Sequence, residues 1–246
     1  MKKVILSVVS ILFFGMFLNA QTATTTGSKK LDLTGRPADH FMFQFGTDTW
    51  TSRPDSVKLG GGLSRHFNLY FMYDKPFATN PKYSVAFGAG VGTSNIFFDN
   101  RTFVDVKSPA NTLPFRAIDS LSNHFSKLKV TTIYLEAPVE LRYFSDPAHP
   151  GKSWKAAVGF KLGTLIKAYS KGKNMVSNTG NSINGKGYVQ KESNKRFFNA
   201  TDVALTGRMG YGVFSLDLGY QVNGVLRDGY GPLMNKFSVG FTISGL

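Results

Sequence analysis

From residue 40 onward the chain alternates. In the stretch Val130 to Phe144, VTTIYLEAPVELRYF, Ile133, Leu135, Ala137, Val139, Leu141 and Tyr143 fall on one parity, and Thr132, Tyr134, Glu136, Glu140 and Arg142 on the other. Successive side chains of a strand project to opposite faces, so this is a strand whose faces meet different surroundings. Over 63–74 the same rule sets Phe67, Leu69, Phe71 and Tyr73 against His66, Asn68, Tyr70 and Met72. Over 82–95 it sets Tyr83, Val85, Phe87, Ala89 and Val91 against Ser84, Ala86, Gly88, Gly90 and Gly92. Over 154–169, Trp154, Ala156, Val158, Phe160, Leu162 and Ile166 oppose Lys155, Gly159, Lys161, Gly163 and Lys167. Segments 214–224 and 235–244 repeat it, Phe214, Leu216 and Leu218 against Ser215, Asp217 and Gly219, and Phe237, Val239 and Phe241 against Ser238, Gly240 and Thr242. With 40–49 and 201–211, and with the opening stretch lying in a strand over 129–144, these make eight predicted strands.

In every strand one face is apolar and the other is polar or tiny. A soluble sandwich or lipocalin would place the apolar face inside and solubilise its outside with Lys and Glu. Here the polar face is rich in Gly, Ser and Ala, which suits a crowded interior making room for Tyr70, Tyr134, Arg142 or Arg208. The sequence therefore reads as apolar outside and polar inside.

The connections support this. About eleven residues are followed by DKPFATNPK, then about thirty (96–128), SDPAHPGKS, about thirty (170–200), the tight GYGVF and about ten. Long and short alternate, as in outer-membrane barrels with short periplasmic turns and longer outer loops. Tyr73, Phe77, Tyr83, Tyr143, Phe144, Trp154, Tyr211 and Phe214 fall near the periplasmic strand ends, where an aromatic girdle is expected.

Residues 1–20, MKKVILSVVSILFFGMFLNA, carry Lys2 and Lys3, an apolar run and Ala20 before Gln21, the form of a secretory signal. Residues 21–39 are Thr-rich and broken by Gly and Pro, a flexible lead-in, leaving 40–246 as the barrel. Cys is absent, which excludes a disulfide framework, a thiolate metal site and a lipid-attached Cys. The net charge of +14 becomes +12 without Lys2 and Lys3, a balance that favours anionic neighbours. Export favours lipid phosphates over nucleic acid.

Register can be read as well. If Gly212-Val213 is a two-residue turn, Tyr211 pairs with Phe214, Met209 with Leu216 and Leu205 with Tyr220, and Arg208 sits opposite Asp217. A symmetric turn after Phe144 would place Glu136 opposite Lys161, with Glu140 one step away.

GRPADHFMFQFG, YLEAPVELRYF and SVAFGAGVG together resemble the small outer-membrane β-barrel proteins grouped with the PorT-like family. The resemblance covers most of the mature chain. It implies an eight-stranded antiparallel up-and-down barrel in a Gram-negative outer membrane, without a catalytic motif, and a link to secretion or envelope assembly proteins. Such barrels often end in an aromatic residue, whereas this sequence ends FTISGL, with Leu246 last.

Glu136, Glu140, Arg142, Lys161, Arg208 and Asp217 are candidates for a lumen charge network, either a structural one or a proton- or ligand-handling one. A lipid-modifying enzyme would need a nucleophile, a base and an orienting acid. Among His40, His66, His124 and His149, His66 with Ser64 on its parity is the best inward candidate, with no local acid. In the 170–200 segment Lys171, Lys173, Lys186, Lys191, Lys195 and Arg196 face one acid, Glu192, which reads either as a site for lipopolysaccharide phosphates or as a solvated loop. No metal-ligand spacing or cofactor motif is present; GAGVG and GGG lack the strand-turn-helix context of phosphate loops. The expected role is structural or accessory, with a lipid-modifying enzyme, a small hydrophobic ligand carrier and a soluble lipocalin-like barrel as the competing classes.

Overall fold

The computed structural model describes residues 41–60 and 64–245. The leader over 1–20, the lead-in over 21–39 and the terminal Leu246 lie outside the described residues.

Eight long strands form the wall: β1 (Phe41–Thr51), β2 (Arg65–Pro76), β3 (Tyr83–Phe98), β6 (His124–Phe144), β7 (Trp154–Val176), β9 (Thr201–Tyr211), β10 (Phe214–Gln221) and β11 (Asn235–Ser244). Each pairs antiparallel with its neighbour in this series, and β11 returns to β1, so the sheet closes on itself and no wall strand has a free edge. Three short strands belong to the outer loops: β4 (Thr102–Val104) pairs with β5 (Phe115–Ala117), and β8 (Val189–Ser193) pairs with the top of β7 above β9.

The parity of the sequence fixes the two faces as read, and the apolar one is outside. Phe67, Leu69, Phe71, Leu135, Leu141, Val158, Phe160, Leu162, Leu205, Leu216, Leu218 and Phe241 are all exposed on the outer wall. Such a surface would be untenable in water and is the belt of a bilayer-spanning barrel. From Trp154 to Ile166 the wall rises roughly 30 Å at a tilt of about 40°.

The periplasmic rim carries aromatic pairs. Tyr83 and Tyr143 have ring centroids 5.3 Å apart, Trp154 and Tyr211 5.6 Å, and Tyr73 and Phe87 5.4 Å. Phe144 departs from the girdle expected of it. It takes the inward parity beside the outward Tyr143, is buried, and has the Lys155 ammonium 5.5 Å from its ring centroid. The turns here are short: Gly212 takes φ 61°, which the two-residue turn requires, and Tyr211 faces Phe214. In the turn after β6, Asp146 accepts hydrogen bonds from the backbone of Ala148 and His149. The His149 ring 3.0 Å away, acting first, holds its carboxyl below the usual carboxylate range.

Above the belt the inward parity changes character. On β3, Ser94 gives way to Ile96 and Phe98; on β6, Thr132 gives way to Val130 and Leu128; on β1, Asp48 gives way to Trp50. These apolar ends meet Val57, Val104, Val106, Leu113, Phe197, Phe198, Val225, Leu226 and Met234 from the outer loops in one buried cluster. Where the wall leaves the hydrocarbon it reverts to the water-soluble rule, greasy inside, and the result is an apolar cap over the polar lumen.

The cap is cross-tied. Trp50 packs edge-on to Phe98 and Phe115, with centroids 5.6 and 6.3 Å away. Arg196 donates to the carbonyls of Ser108, at 3.2 Å, and Ala110, joining the two longest loops. Leu113 N–H donates to the Tyr230 carbonyl at 2.8 Å, and Arg227 N–H to that of Phe197 at 2.9 Å.

One irregularity matters for the outer surface. Between Ile133 and Tyr134 of β6 the partner on β7 jumps from Lys167 to Leu165, leaving Ile166 as an extra residue in a β-bulge. Lys167, expected inside, is therefore exposed on the outer face, because the bulge puts Ile166 and Lys167 on the same side.

Candidate functional site

Inward side chains fill the lumen in layers. Near the periplasm Glu140 accepts from two guanidinium groups, Arg142 Nε at 2.8 Å and Arg208 Nη2 at 2.9 Å. Arg142 and Arg208 face each other across β7 at Ala157, and Glu140 lies over Gly159, so small residues on β7 leave room for the group. Arg208 Nη1 also donates to Ser244 Oγ at 3.3 Å, and Ser84 Oγ donates to Asp74 at 2.6 Å beside Arg142. Met42, Tyr70, Met72 and Ala86 pack as an apolar filler in the same wall.

The next layer holds two lysine pairs and a histidine. Lys161 Nζ is 3.0 Å from Glu136 Oε2, which also accepts from the Tyr70 hydroxyl. Lys236 Nζ is 3.2 Å from Asp202 Oδ2. His66 Nδ1 is 2.8 Å from Asp48 Oδ1, and Ser94 Oγ donates to the other Asp48 oxygen. Asp217 accepts from Thr242 Oγ1 at 2.9 Å and lies 4.0 Å from His66 Nε2. A Cβ on Gly92 would fall 2.5 Å from Glu136 Oε1, so this glycine makes space for the carboxylate.

Six sequence candidates, Glu136, Glu140, Arg142, Lys161, Arg208 and Asp217, are thus all buried in the lumen, in two layers. The pairing expected from a symmetric turn is corrected. In the ladder Glu136 faces Gly163, Lys161 faces Pro138 and Glu140 faces Gly159, because the turn after β6 offsets the register by two residues. Lys161 meets Glu136 diagonally, by side-chain length. Arg208 does face Asp217 in the ladder, but its ion pair is with Glu140.

Asp48, Asp202 and Lys236 were not singled out from the sequence, although each stands on the inward parity of its strand. Asp48 meets His66 diagonally across the adjacent β1–β2 pair and Ser94 from β3, and Lys236 of β11 reaches Asp202 of β9 over β10, contacts that periodicity alone cannot show. Among the described residues five carboxylates (Asp48, Glu136, Glu140, Asp202, Asp217) and five cations (Arg142, Lys155, Lys161, Arg208, Lys236) are buried. The lumen therefore has no strong net charge to select a permeant ion, and buried charges of this kind persist only when paired.

Two adjoining cavities beside His66, bounded by Asn68, Lys161, Lys236 and Ser238, have volumes of about 10 and 20 Å³, room for about one water each. Ser94 donates to Asp48 rather than to His66, so this hydroxyl is not poised to lose its proton to the imidazole. No group of His, Asp or Glu with metal-binding geometry occurs among the described residues.

The basic residues of 170–200 separate. Lys171 and Lys173 lie on β7 and Lys191 on β8, all pointing outward, with Lys171 directly opposite Lys191. Lys186 and Lys195 are exposed on connecting turns, and Arg196 is built into the cap, its guanidinium 4.5 Å from the Phe197 ring centroid.

A search of curated proteins gives no match. Among solved structures, the crystal structure of Ail, the attachment invasion locus protein of Yersinia pestis, aligns over 83% of this chain and 95% of its own at 13% identity, with a TM-score of 0.31. The sequence model of the outer membrane protein beta-barrel domain matches residues 20–226, from before the first wall strand to the last outer loop. With that match across most of an apolar-belted, closed eight-stranded wall, the chain belongs to the outer membrane protein beta-barrel family and resides in the outer membrane.

Proposed function

We propose that this protein is a sealed structural or accessory barrel of the envelope, of the PorT-like kind, that serves secretion or envelope assembly through its outer rim and performs no catalysis. The carrying observation is the lumen: paired charges line it, the two cavities beside His66 each admit about one water, and the apolar cap covers its outer mouth. A pore needs a continuous wet path and a ligand carrier needs a cavity of several hundred Å³. Neither fits this interior. A lipid-modifying enzyme needs an accessible nucleophile next to its base, and His66 is buried between two carboxylates, its Nδ1 2.8 Å from Asp48 and its Nε2 4.0 Å from Asp217.

The test is reconstitution. Planar bilayers holding the purified barrel are expected to show no steady conductance, and phospholipid or lipid A incubated with it no turnover. A stable nanosiemens-scale channel, or turnover abolished by His66→Ala, would overturn this reading. Crosslinking in intact envelopes is then expected to capture partners through the outer loops.

A further inference from the structure

Above the β7 bulge three strands place lysines on one outward face. Lys129 of β6, Lys171 of β7 and Lys191 of β8 are consecutive cross-strand partners in a single row. The next row outward pairs Lys127 with Lys173, and Lys167 stands two rows inward from Lys171. Neighbouring strands lie about 4.8 Å apart and alternate residues about 6.7 Å, so six ammonium groups share a patch roughly 10 by 20 Å.

This arrangement works against the sheet. Like charges directly opposite destabilise strand pairs. Relief would require acids, and none of the six lysines makes an ion pair among the described residues. Glu192, the acid of this segment, pairs in register with Ser170 and so points to the other side of the sheet, where Gln190 donates to it at 2.8 Å.

The patch is also held in place. Lys129 Nζ donates to Asn95 Oδ1 at 2.7 Å, Thr131 Oγ1 donates to the same oxygen at 2.9 Å, and Lys191 Nζ sits 4.1 Å from the Tyr169 ring centroid. Its position defines the occupant. Lys167 begins where the apolar run Trp154–Ile166 ends, so the ammonium groups stand on the lipid-facing side at the height of the outer headgroups. Long cationic side chains at this level reach naturally into the headgroup layer.

We propose that this lysine face of β6, β7 and β8 binds the phosphates of an anionic glycolipid of the outer leaflet. The bulge at Ile166 creates the site by turning Lys167, Lys171 and Lys173 outward. The site includes Lys127, Lys129 and Lys167, from outside the basic loop read in the sequence, and excludes Lys186, Lys195 and Arg196. It is independent of what the lumen does.

The test uses the full chain in phosphatidylcholine nanodiscs titrated with bisphosphorylated lipid A, at low and high salt. K129Q/K171Q/K191Q is expected to weaken binding roughly 100-fold at low salt, since each cation near the surface contributes about a factor of five. High salt should narrow the difference. K129R/K171R/K191R and the off-patch K186Q/K195Q should bind as the parent does. Heat-modifiable migration verifies that each barrel is folded, and the Gln variant, relieved of repulsion, should retain it. Equal weakening by K186Q/K195Q, no weakening by the Gln triple, or equal binding of dephosphorylated lipid A would overturn the proposal. Competition by inorganic pyrophosphate at matched phosphate concentration would also overturn it, by showing a site for soluble anions.

Discussion

Arg208 stands directly opposite Asp217 in the β9–β10 ladder, yet its guanidinium crosses β7 to reach Glu140, with Nη2 2.9 Å from Oε2. Glu140 also holds Arg142, whose Nη1 lies 3.8 Å from Asp74 Oδ1, so one carboxylate serves two buried guanidinium groups. Glu140→Ala is expected to cost about 3–5 kcal/mol, the usual penalty for stranding buried charge. Urea unfolding of the barrel in lipid vesicles measures it. A loss under about 1 kcal/mol would mean that water reaches both guanidinium groups and that the lumen is open.

The outer wall gives a depth-dependent prediction. Leu218 lies in the belt and Val222 just past the end of β10, both with exposed side chains. Leu218→Arg should cost about 2–4 kcal/mol and Val222→Arg about 0–1, because a charge on the lipid face is expensive at mid-depth and cheap at the rim. Equal costs in the same unfolding assay would argue that the exposed apolar belt does not face hydrocarbon.

The parts of this fold that are visible in sequence are those set by period two. Phe67 to Tyr73 and Phe214 to Tyr220 alternate without interruption, and the Gly212 turn fixes β9 against β10, so that wall and register follow from local rules. The turn after Phe144 is longer and includes a short 3₁₀ helix over Pro150–Lys152. No local rule fixes its offset, and Glu136 came to face Gly163 instead of Lys161. A bulge erases parity beyond itself, which is why Lys167 reads as inward in a regular alternation. His66 meets Asp48 diagonally across the neighbouring β1–β2 pair, and Lys236 of β11 reaches Asp202 of β9 over β10; both contacts depend on side-chain reach within the curved wall, which period two does not encode.

The cap is a folded unit resting on the wall. Phe197 is fully buried in the loop cluster, with Tyr230 edge-on at 6.2 Å. Phe197→Ala should destabilise the cap by about 3–5 kcal/mol, as large cavities do. The expected readout is rapid protease cleavage within 177–195, with heat-modifiable migration of the barrel unchanged. If migration is lost together with loop protection, cap and wall fold as one cooperative unit.

The bulge makes a deletion pair diagnostic. Ile166 and Lys167 both point outward, so deleting Ile166 restores regular alternation and leaves every other β7 side chain on its present face. Deleting Val158 instead slips 159–166 by one residue, until the bulge absorbs the slip. Lys161 would then turn into hydrocarbon and leave Glu136 without its ion pair, while Phe160 and Leu162 would enter the polar lumen. A lysine at mid-bilayer costs about 2–4 kcal/mol, and an abandoned buried carboxylate about 3–5 more. The Ile166 deletion is therefore expected to fold with a heat-modifiable band, and the Val158 deletion to remain unfolded in the same detergent. Equal behaviour of the two would mean that the outward pair at Ile166 and Lys167 is not where β7 takes up its extra residue.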